Sequence, residues 1–427
     1  MLDIKFVLEN PNLVVENLKK RFKADKIWLI DELLENYNAW KGNKKQADEL
    51  RHRRNVISEE INKGKKEKKD VSSLLKEATE IPDKIKKLGE EEKLLQEEIK
   101  NKLMQIPNLL HKSVPVGKDH TENKVIRKWG KTKKFNFPLK SHVELAENLG
   151  IADFDAGRDV AGQGFNYLLD ELARLDLALQ RYGVDFLLQK KFRFIVPPLM
   201  LNRETLSGAV DLSTFEEVVY KLEKENLYLI GTAEHSLVTM LKNKTLNKKD
   251  LPMRLCAVTP CFRKEIGGHG VDTKGLFRMH QFNKVEQVVF TNDKTSFDLL
   301  EEMQGITEKF FQSLDIPYKV VEICSGDLGA KFAKQYDIEA WFPRQNKYQE
   351  VTSAGNCTDY QARRLGIKYS DSKEKEFVHI LNNTMVATSR AIVAILENYQ
   401  NKDGSVTIPK VLVKYTGFDK IKNNKSK

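Results

Sequence analysis

The sequence predicts an α+β protein in two parts: a long antiparallel helical hairpin, then a domain built on a mainly antiparallel β-sheet flanked by helices. Three observations carry this. Apolar residues keep a helical spacing from about residue 27 to 104, the period of a helix rather than a strand. From Phe135 onward, apolar runs of strand length mix irregularly with helical stretches, unlike the regular alternation of a parallel sheet. Finally, two strand-like runs, LCAVTPCF and QVVF, enclose a loop with Gly267, Gly268, Gly270 and Gly275. That is the pattern of a long hairpin.

The elements follow in order. Residues 1 to about 26 read as a short helical segment. Beyond them Leu33, Tyr37, Trp40, Ala47, Leu50, Ile57 and Ile61 form one seam. Leu74, Ala78, Ile81, Ile85, Leu88, Leu95 and Ile99 form a second, with Glu92 as a gap. Such heptad seams pack two helices on each other. The polar run NKGKKEKKD at 62–70 supplies the turn between them. Helices of about 30 residues would each reach about 45 Å, a projecting arm. Pro82 falls inside the second helix and is expected either to kink it or to mark its true start. The arm is rich in cations: Lys44, Lys45, Arg51, Arg53, Arg54, Lys63, Lys65, Lys66, Lys68 and Lys69. As a set they suit a nucleic-acid backbone; singly, each suits a solvated helix face.

QIPNLLHKSVPVG closes the arm. The expected division is an N-terminal domain of residues 1–108, with the arm at about 27–104, and a second domain of 109–427. Residues 141–183 read as helical. FRFIVPPLML (192–201) reads as an edge or interface strand interrupted by Pro197 and Pro198. YLIGTAEHSL (228–237) reads as a strand leading into a turn or helix, and HILNNTMVATSRAIVAILENYQ (379–400) as a polar strand and a helix striped by Ile392, Ile395, Leu396 and Tyr399. The basic tail, about 420–427, is expected to be disordered.

Composition narrows the function. With 427 residues, 40% hydrophobic and 31% charged, the chain has the make-up of a soluble globular protein. Its formal net charge of +11 suits a polyanionic partner, nucleic acid first. The four cysteines, Cys256, Cys261, Cys324 and Cys357, form no CxxC pair, which points to reduced, buried thiols of a cytoplasmic protein. His269 and His280 flank Asp272, but their spacing matches no standard metal site. No apolar run is long enough to cross a membrane, and the N-terminus lacks the apolar core of an export signal.

The chemistry gathers at the hairpin. Alternate residues of a strand share a face, which aligns Arg278, His280, Phe282, Lys284 and Glu286 on the returning strand. Arg263 leaves the first strand. Guanidinium groups beside a Gly-rich loop suit phosphate oxygens, Phe282 can stack on a purine, and Glu286 can take an ammonium group. The set describes a nucleotide and an amino acid laid end to end. GGHG is neither a P-loop nor a dinucleotide fingerprint. In YQEVTSAGN, Glu350 and Ser353 offer hard oxygens that suit Mg²⁺ beside a triphosphate. Arg390, at a helix start, can reach a phosphate together with free backbone N–H groups.

These motifs, over essentially the whole chain, resemble the seryl-tRNA synthetases, class II aminoacyl-tRNA synthetases. TPCFRKE…DTKGLFRMHQFNKVEQ is similar to the second class-defining motif, NNTMVATSRAIVAILENYQ to the third and RFIVPPLML to the first, a dimer-interface strand. LYLIGTAEHSL, ICSGDLGAKFAKQYDIEAWFP and NCTDYQARR resemble seryl-specific segments, and the arm matches the one that grips the long variable arm of tRNA(Ser). The resemblance implies a homodimer that activates L-serine with ATP and Mg²⁺, then passes serine to tRNA(Ser). It leaves open whether the selenocysteine tRNA is also charged.

By the same resemblance Arg263 binds the α-phosphate and the substrate carboxylate, Glu265 and Met279 lie at adenine, and Phe282 stacks on it. Arg278 and Arg390 hold the γ-phosphate. Lys264, Val351 and Thr352 join the ATP set, and Glu350 and Ser353 hold Mg²⁺ or ATP. Thr232, Ala233, Glu234, Glu286, Asn382 and Thr384 line the serine pocket. Gly231, RKEIGGHG, TSAGN and Ser389 depart from the common bacterial pattern, and the loop with KVEQ resembles an archaeal-like branch. Two other functions fit the same core: an aminoacyl-carrier-protein ligase, whose relatives typically lack the arm, and a non-catalytic paralogue, whose relatives usually lose the arginines and the carboxylate of Glu350.

Overall fold

Apolar side chains repeated along two long helices have one place to escape water, which is against each other. The structure, a computed structural model, describes residues 1–265, 275–371 and 374–422. It divides into two compact units, Met1–Pro107 and Asn108–Lys427. In the first, the short helices α1 (Ile4–Glu9) and α2 (Pro11–Lys20) precede the long α3 (Trp28–Lys66) and α4 (Ser72–Gln105). Ile57 and Ile61 of α3 bury against Ile81 of α4, flanked by Leu50, Leu74, Ala78 and Ile85. Polar pairs also link the two helices. Asn36 donates to Glu98 at 2.8 Å, Asn43 to Glu91 at 3.0 Å, and Lys102 pairs with Glu32 at 2.8 Å.

The arm differs from expectation at two places. Helix α3 runs through Lys66, so the turn is shorter than residues 62–70. Lys63, Lys65 and Lys66 suit the negative end of a helix dipole and extend it. Gly64 is needed there: a Cβ would meet Val71 Cγ1 at 2.5 Å. Pro82 lies within α4, which starts at Ser72. The proline therefore does not mark the start; it leaves the Ala78 carbonyl without its helical donor.

In chain order the second unit opens with β1 (Lys124–Trp129) and α5 (His142–Leu149). The ribbon of β2 (Ala152–Asp153) and β3 (Tyr167–Leu168) encloses α6 (Phe154–Ala161), and α7 (Asp170–Leu188) follows. Next come β4 (Arg193–Phe194), β5 (Met200–Asn202), α8 (Arg203–Ala209), α9 (Leu212–Phe215), β6 (Leu227–Leu229), α10 (Ala233–Thr239) and β7 (Thr245–Asn247). The hairpin is β8 (Met253–Phe262) and β9 (Gln281–Thr291), followed by α11 (Ser296–Ser313). The chain continues with β10 (Tyr318–Glu322), β11 (Lys334–Phe342), β12 (Lys347–Asn356), α12 (Tyr360–Leu365), β13 (Lys368–Ser370), β14 (Lys375–Phe377), β15 (His379–Ala387) and α13 (Thr388–Asn398). The last strands are β16 (Val406–Thr407) and β17 (Lys420–Ile421).

Eight strands form the main sheet in the order β1-β10-β11-β12-β15-β9-β8-β4. Every neighbouring pair is antiparallel except β4 on β8, at the edge. Strand alternation puts Val285 and Val289 of β9 in one core, which also takes Leu175 and Leu179 of α7 and Ile392 of α13. Val288 and Phe290 face a second core with Leu237 of α10 and Leu206 of α8. Helix α13 is buried on all sides, which explains its run of apolar residues beyond a single stripe.

Three more expectations change. The stretch 141–183 is not one helix: Gly150 ends α5 in the left-handed region (φ 66°), and a strand ribbon intervenes before α7. The prolines at 197 and 198 split their run into β4 and β5 rather than interrupting one strand. The tail is ordered further than expected, because Ile421 buries its side chain and pairs with Val406. Residues 423–427, and Gly267, Gly268 and Gly270 of the loop with His269 and Asp272, lie outside the described residues.

Ile81 sits where the two seams cross. Ile81→Ala should destabilise the arm by about 2–4 kcal/mol. Hydrogen exchange should show lost protection in α3 and α4, with β9 unchanged.

Candidate active site

An antiparallel sheet presents alternate side chains to one face, and here that face is polar. Phe282, Lys284 and Glu286 of β9 point into one cavity of about 280 Å³. The cross-strand partner of Glu286 is Thr384 of β15, and Asn382 lines the same cavity one alternation further on. Arg263 enters directly after β8, and Arg278 and Met279 directly before β9. Arg390 comes from the first turn of α13.

Strand β12 contributes by an irregularity. Glu339 of β11 pairs with Glu350, yet Ile338 pairs with Thr352, so Val351 is an extra residue. A bulge of this kind shifts the alternation by one. It brings Glu350 and Ser353 to the same side, although three positions separate them in sequence. Both line the cavity.

The charged groups are held by named partners. Arg263 Nε donates to the Gly231 carbonyl at 3.0 Å, and its guanidinium lies 5.6 Å from the Phe282 ring. Arg278 pairs with Glu265 at 3.6 Å. Arg390 donates to the Glu350 carbonyl at 3.0 Å and pairs with its carboxylate at 3.2 Å, over the ring of Phe277. Two carboxylates are buried. Glu286 Oε1 accepts from Thr232 at 2.8 Å and from Thr384 at 3.3 Å, and pairs with Lys284. Glu234 Oε1 pairs with Lys331 and accepts from Gln361 at 2.9 Å. Burial acts against the charge of Glu234, but Lys331 and the other neighbours outweigh it and hold the carboxyl below its ordinary range.

Most residues singled out from sequence meet here: Arg263, Glu265, Arg278, Met279, Phe282, Glu286, Glu350, Val351, Thr352, Ser353, Asn382, Thr384, Arg390 and Glu234 all line the cavity. Three do not. Thr232 caps α10 by accepting from Glu234 N at 3.3 Å and also meets Glu286 and Lys284, Ala233 is buried beside it, and Lys264 extends over Tyr220. His280 also leaves the expected row. It precedes β9, where strand alternation does not apply, and it bonds Tyr220 and stacks on Phe165. Sequence reasoning missed Phe277, Lys331, Phe332, Ala387 and Ser389 as lining residues. Lys331 and Phe332 come from the irregular segment between β10 and β11, where no periodicity marks a direction.

The arm's cations divide as well. Arg53 spans the hairpin to Glu77 at 2.9 and 2.8 Å, Arg51 pairs with Asp48 at 2.5 Å, and Lys69 with Glu67 at 2.8 Å. Arg53 is thus a strut between the helices. Arg54, Lys63, Lys65, Lys66 and Lys68 are exposed and form no ion pair among the described residues.

Comparison with known proteins then bears on the whole chain. Residues 1–110 match the family described as seryl-tRNA synthetase N-terminal domain, and residues 218–399 the tRNA synthetase class II core domain (G, H, P, S and T). A serine–tRNA ligase of Methanoregula boonei is 49% identical over 97% of this chain and 98% of that protein.

The chain belongs to the seryl-tRNA synthetase family.

A crystal structure of the seryl-tRNA synthetase from Pyrococcus horikoshii complexed with ATP superposes on this synthetase with a TM-score of 0.95, at 47% identity and covering 99% of each chain. A cytoplasmic serine–tRNA ligase of Naegleria fowleri in complex with AMP gives a TM-score of 0.88 at 37% identity, again over 99% of both chains. The fold of this synthetase is therefore that of a class II core with an antiparallel sheet and a long helical N-terminal arm.

His235, next to Glu234 in this synthetase, tests the site's electrostatics. Its Nδ1 accepts from Gly231 N at 3.3 Å, and burial first of all pushes its pKa down to about 3. A depressed histidine stabilises the fold fully above its unfolded value, about 6.5, and that contribution is lost as pH falls toward the folded value. NMR should show the His235 ring neutral from pH 8 to about 5. His235→Gln should flatten the fall in stability below about pH 6.5.

Proposed function

We infer that the cavity is a single site for ATP and L-serine lying end to end. The enzyme is a serine–tRNA ligase of class II. It joins serine to ATP as seryl-adenylate with release of pyrophosphate, then transfers the seryl group to the 3′-terminal adenosine of tRNA(Ser). One observation carries the residue assignment: three guanidinium groups, an aromatic plate and two buried carboxylates share one cavity in that order along β9 and its neighbours.

Phe282 and Met279 take the adenine, with Glu265 at its edge. Arg263 lies between the Phe282 ring and the Gly231 carbonyl, where it can neutralise both the α-phosphate and the serine carboxylate. Arg278 and Arg390 stand farther out and take the γ-phosphate. The serine carboxylate attacks the α-phosphorus in line. No general base is required, because the attacking group is already an anion; positioning and charge neutralisation supply the rate. Glu286 and Glu234, with Asn382 and Thr384, receive the ammonium and hydroxyl groups of serine. A pocket built to bond a hydroxyl discriminates against alanine, which would leave buried polar groups unpaired. Thr232 acts behind Glu286 by holding Oε1.

Glu350 and Ser353 fit Mg²⁺: the bulge at Val351 puts two hard oxygens on one side of the cavity, next to Arg390. The chemistry that Mg²⁺ supplies when bound is neutralisation of triphosphate charge. Glu350 and Ser353 would hold it, while the arginines orient the phosphates.

The arm is the proposed tRNA grip, through Arg54 and the lysines at its tip. It favours tRNA over a carrier protein as the acceptor. Homodimerisation through the α7 and β4–β5 region is supported by exposed apolar side chains at Leu177, Phe194, Val196 and Met200. We place the enzyme in the cytoplasm, in keeping with four unpaired, buried cysteines.

Exchange of pyrophosphate into ATP, measured with each amino acid and no tRNA, tests the central reading. Serine alone should support it; exchange with another amino acid would overturn the pocket assignment. Arg263→Ala should lower serine-dependent exchange by about 10²–10³-fold. Deleting residues about 40–95 should spare exchange, weaken tRNA charging and flatten the salt dependence of tRNA binding.

A further inference from the structure

Lys331 reaches the cavity from the segment between β10 and β11, and its backbone is fixed there. Asn108 N donates to the Ala330 carbonyl at 2.8 Å. The Asn108 side-chain amide donates to the carbonyls of Lys331 at 3.0 Å and Cys357 at 2.8 Å. The Lys331 ammonium is thus delivered from an anchored loop onto Glu234 Oε1. The same oxygen accepts from Gln361, whose amide also donates to the Ala209 carbonyl at 2.8 Å. Among the described residues, no donor reaches Glu234 Oε2. Glu286 shows the same arrangement, with Thr232, Thr384 and Lys284 all on Oε1.

A carboxylate tethered through one oxygen by a rigid cation presents the other in a fixed direction. It also stays ionised where burial would otherwise neutralise it. We propose that Lys331 is a positioning residue of the amino-acid subsite: by holding Glu234 through Oε1, it aims Oε2 at the ammonium group of serine. This rests on the reading of the cavity as a serine site. Lys331 need not touch serine itself. Its effect passes through Glu234, and that makes it separable from a general structural role.

The test is serine- and ATP-dependent pyrophosphate exchange on the full chain, for the wild type, Lys331→Met, Lys331→Arg, Glu234→Gln and the double variant Lys331→Met/Glu234→Gln. Lys331→Met should raise the KM for serine about tenfold or more while the KM for ATP stays within about twofold. Lys331→Arg should recover most of the serine affinity. In the Glu234→Gln background, Lys331→Met should add no further cost, because the group it acts through is gone. The double variant buries no unpaired charge, so it keeps the cycle measurable if Lys331→Met alone folds poorly. An unchanged serine KM in Lys331→Met, an equal rise in both KM values, or a full additional cost in the Glu234→Gln background would each overturn the proposal. Wild-type protein without serine-dependent exchange would instead overturn the serine reading on which it rests.

Discussion

A carboxylate buried inside a sheet must be bonded and counter-charged, and Glu286 imposes that demand on the whole site. It is only 2% exposed. An ion so deeply removed from water is tolerated when hydrogen bonds and an opposite charge compensate it. Three structural elements supply them. Helix α10 brings its N-cap residue, Thr232; the neighbouring strand β15 brings Thr384; and β9 itself brings Lys284. The helix, the neighbouring strand and β9 therefore converge on the same side chain.

The register does the rest of the assembly. Antiparallel pairing of β9 with β8 and β15 sets Arg263, the Phe282–Glu286 row and the Asn382–Thr384 pair side by side. Two local breaks in register then correct directions that regular strands would get wrong. The extra residue at Val351 aligns Glu350 with Ser353, and a second irregularity lies between Thr384 and Val386, just before Arg390 enters on α13. Bulges beside a binding cavity re-aim side chains without moving the sheet.

The arm answers a different constraint. A helical hairpin has little core, so its seam of Ile57, Ile61 and Ile81 must be supplemented at the edges. The bridges from Arg53 to Glu77 and Lys102 to Glu32 do this with partly exposed groups, whose individual contributions are modest. The arm's cations therefore divide: Arg53 braces the hairpin, while Arg54, Lys63, Lys65, Lys66 and Lys68 stay exposed with no ion pair among the described residues.

Much of this was legible in the sequence because it depends on local periodicity. The 3-4 seams give the arm, strand alternation gives the row Phe282, Lys284, Glu286, and the order of charged and aromatic types along it gives the ligand class. The motifs extended that reading to Arg263, Glu350 and Arg390, all of which line the cavity. What the sequence could not determine lies where periodicity stops. His280 turns away because it precedes the strand, Arg53 is a strut because Glu77 lies opposite on the other helix, and Lys331 reaches Glu234 from a segment far along the chain. A sequence determines the direction of a side chain only within a regular element. Which distant charge it meets is decided by packing, because the cost of burying an unpaired ion is settled only when the chain has folded.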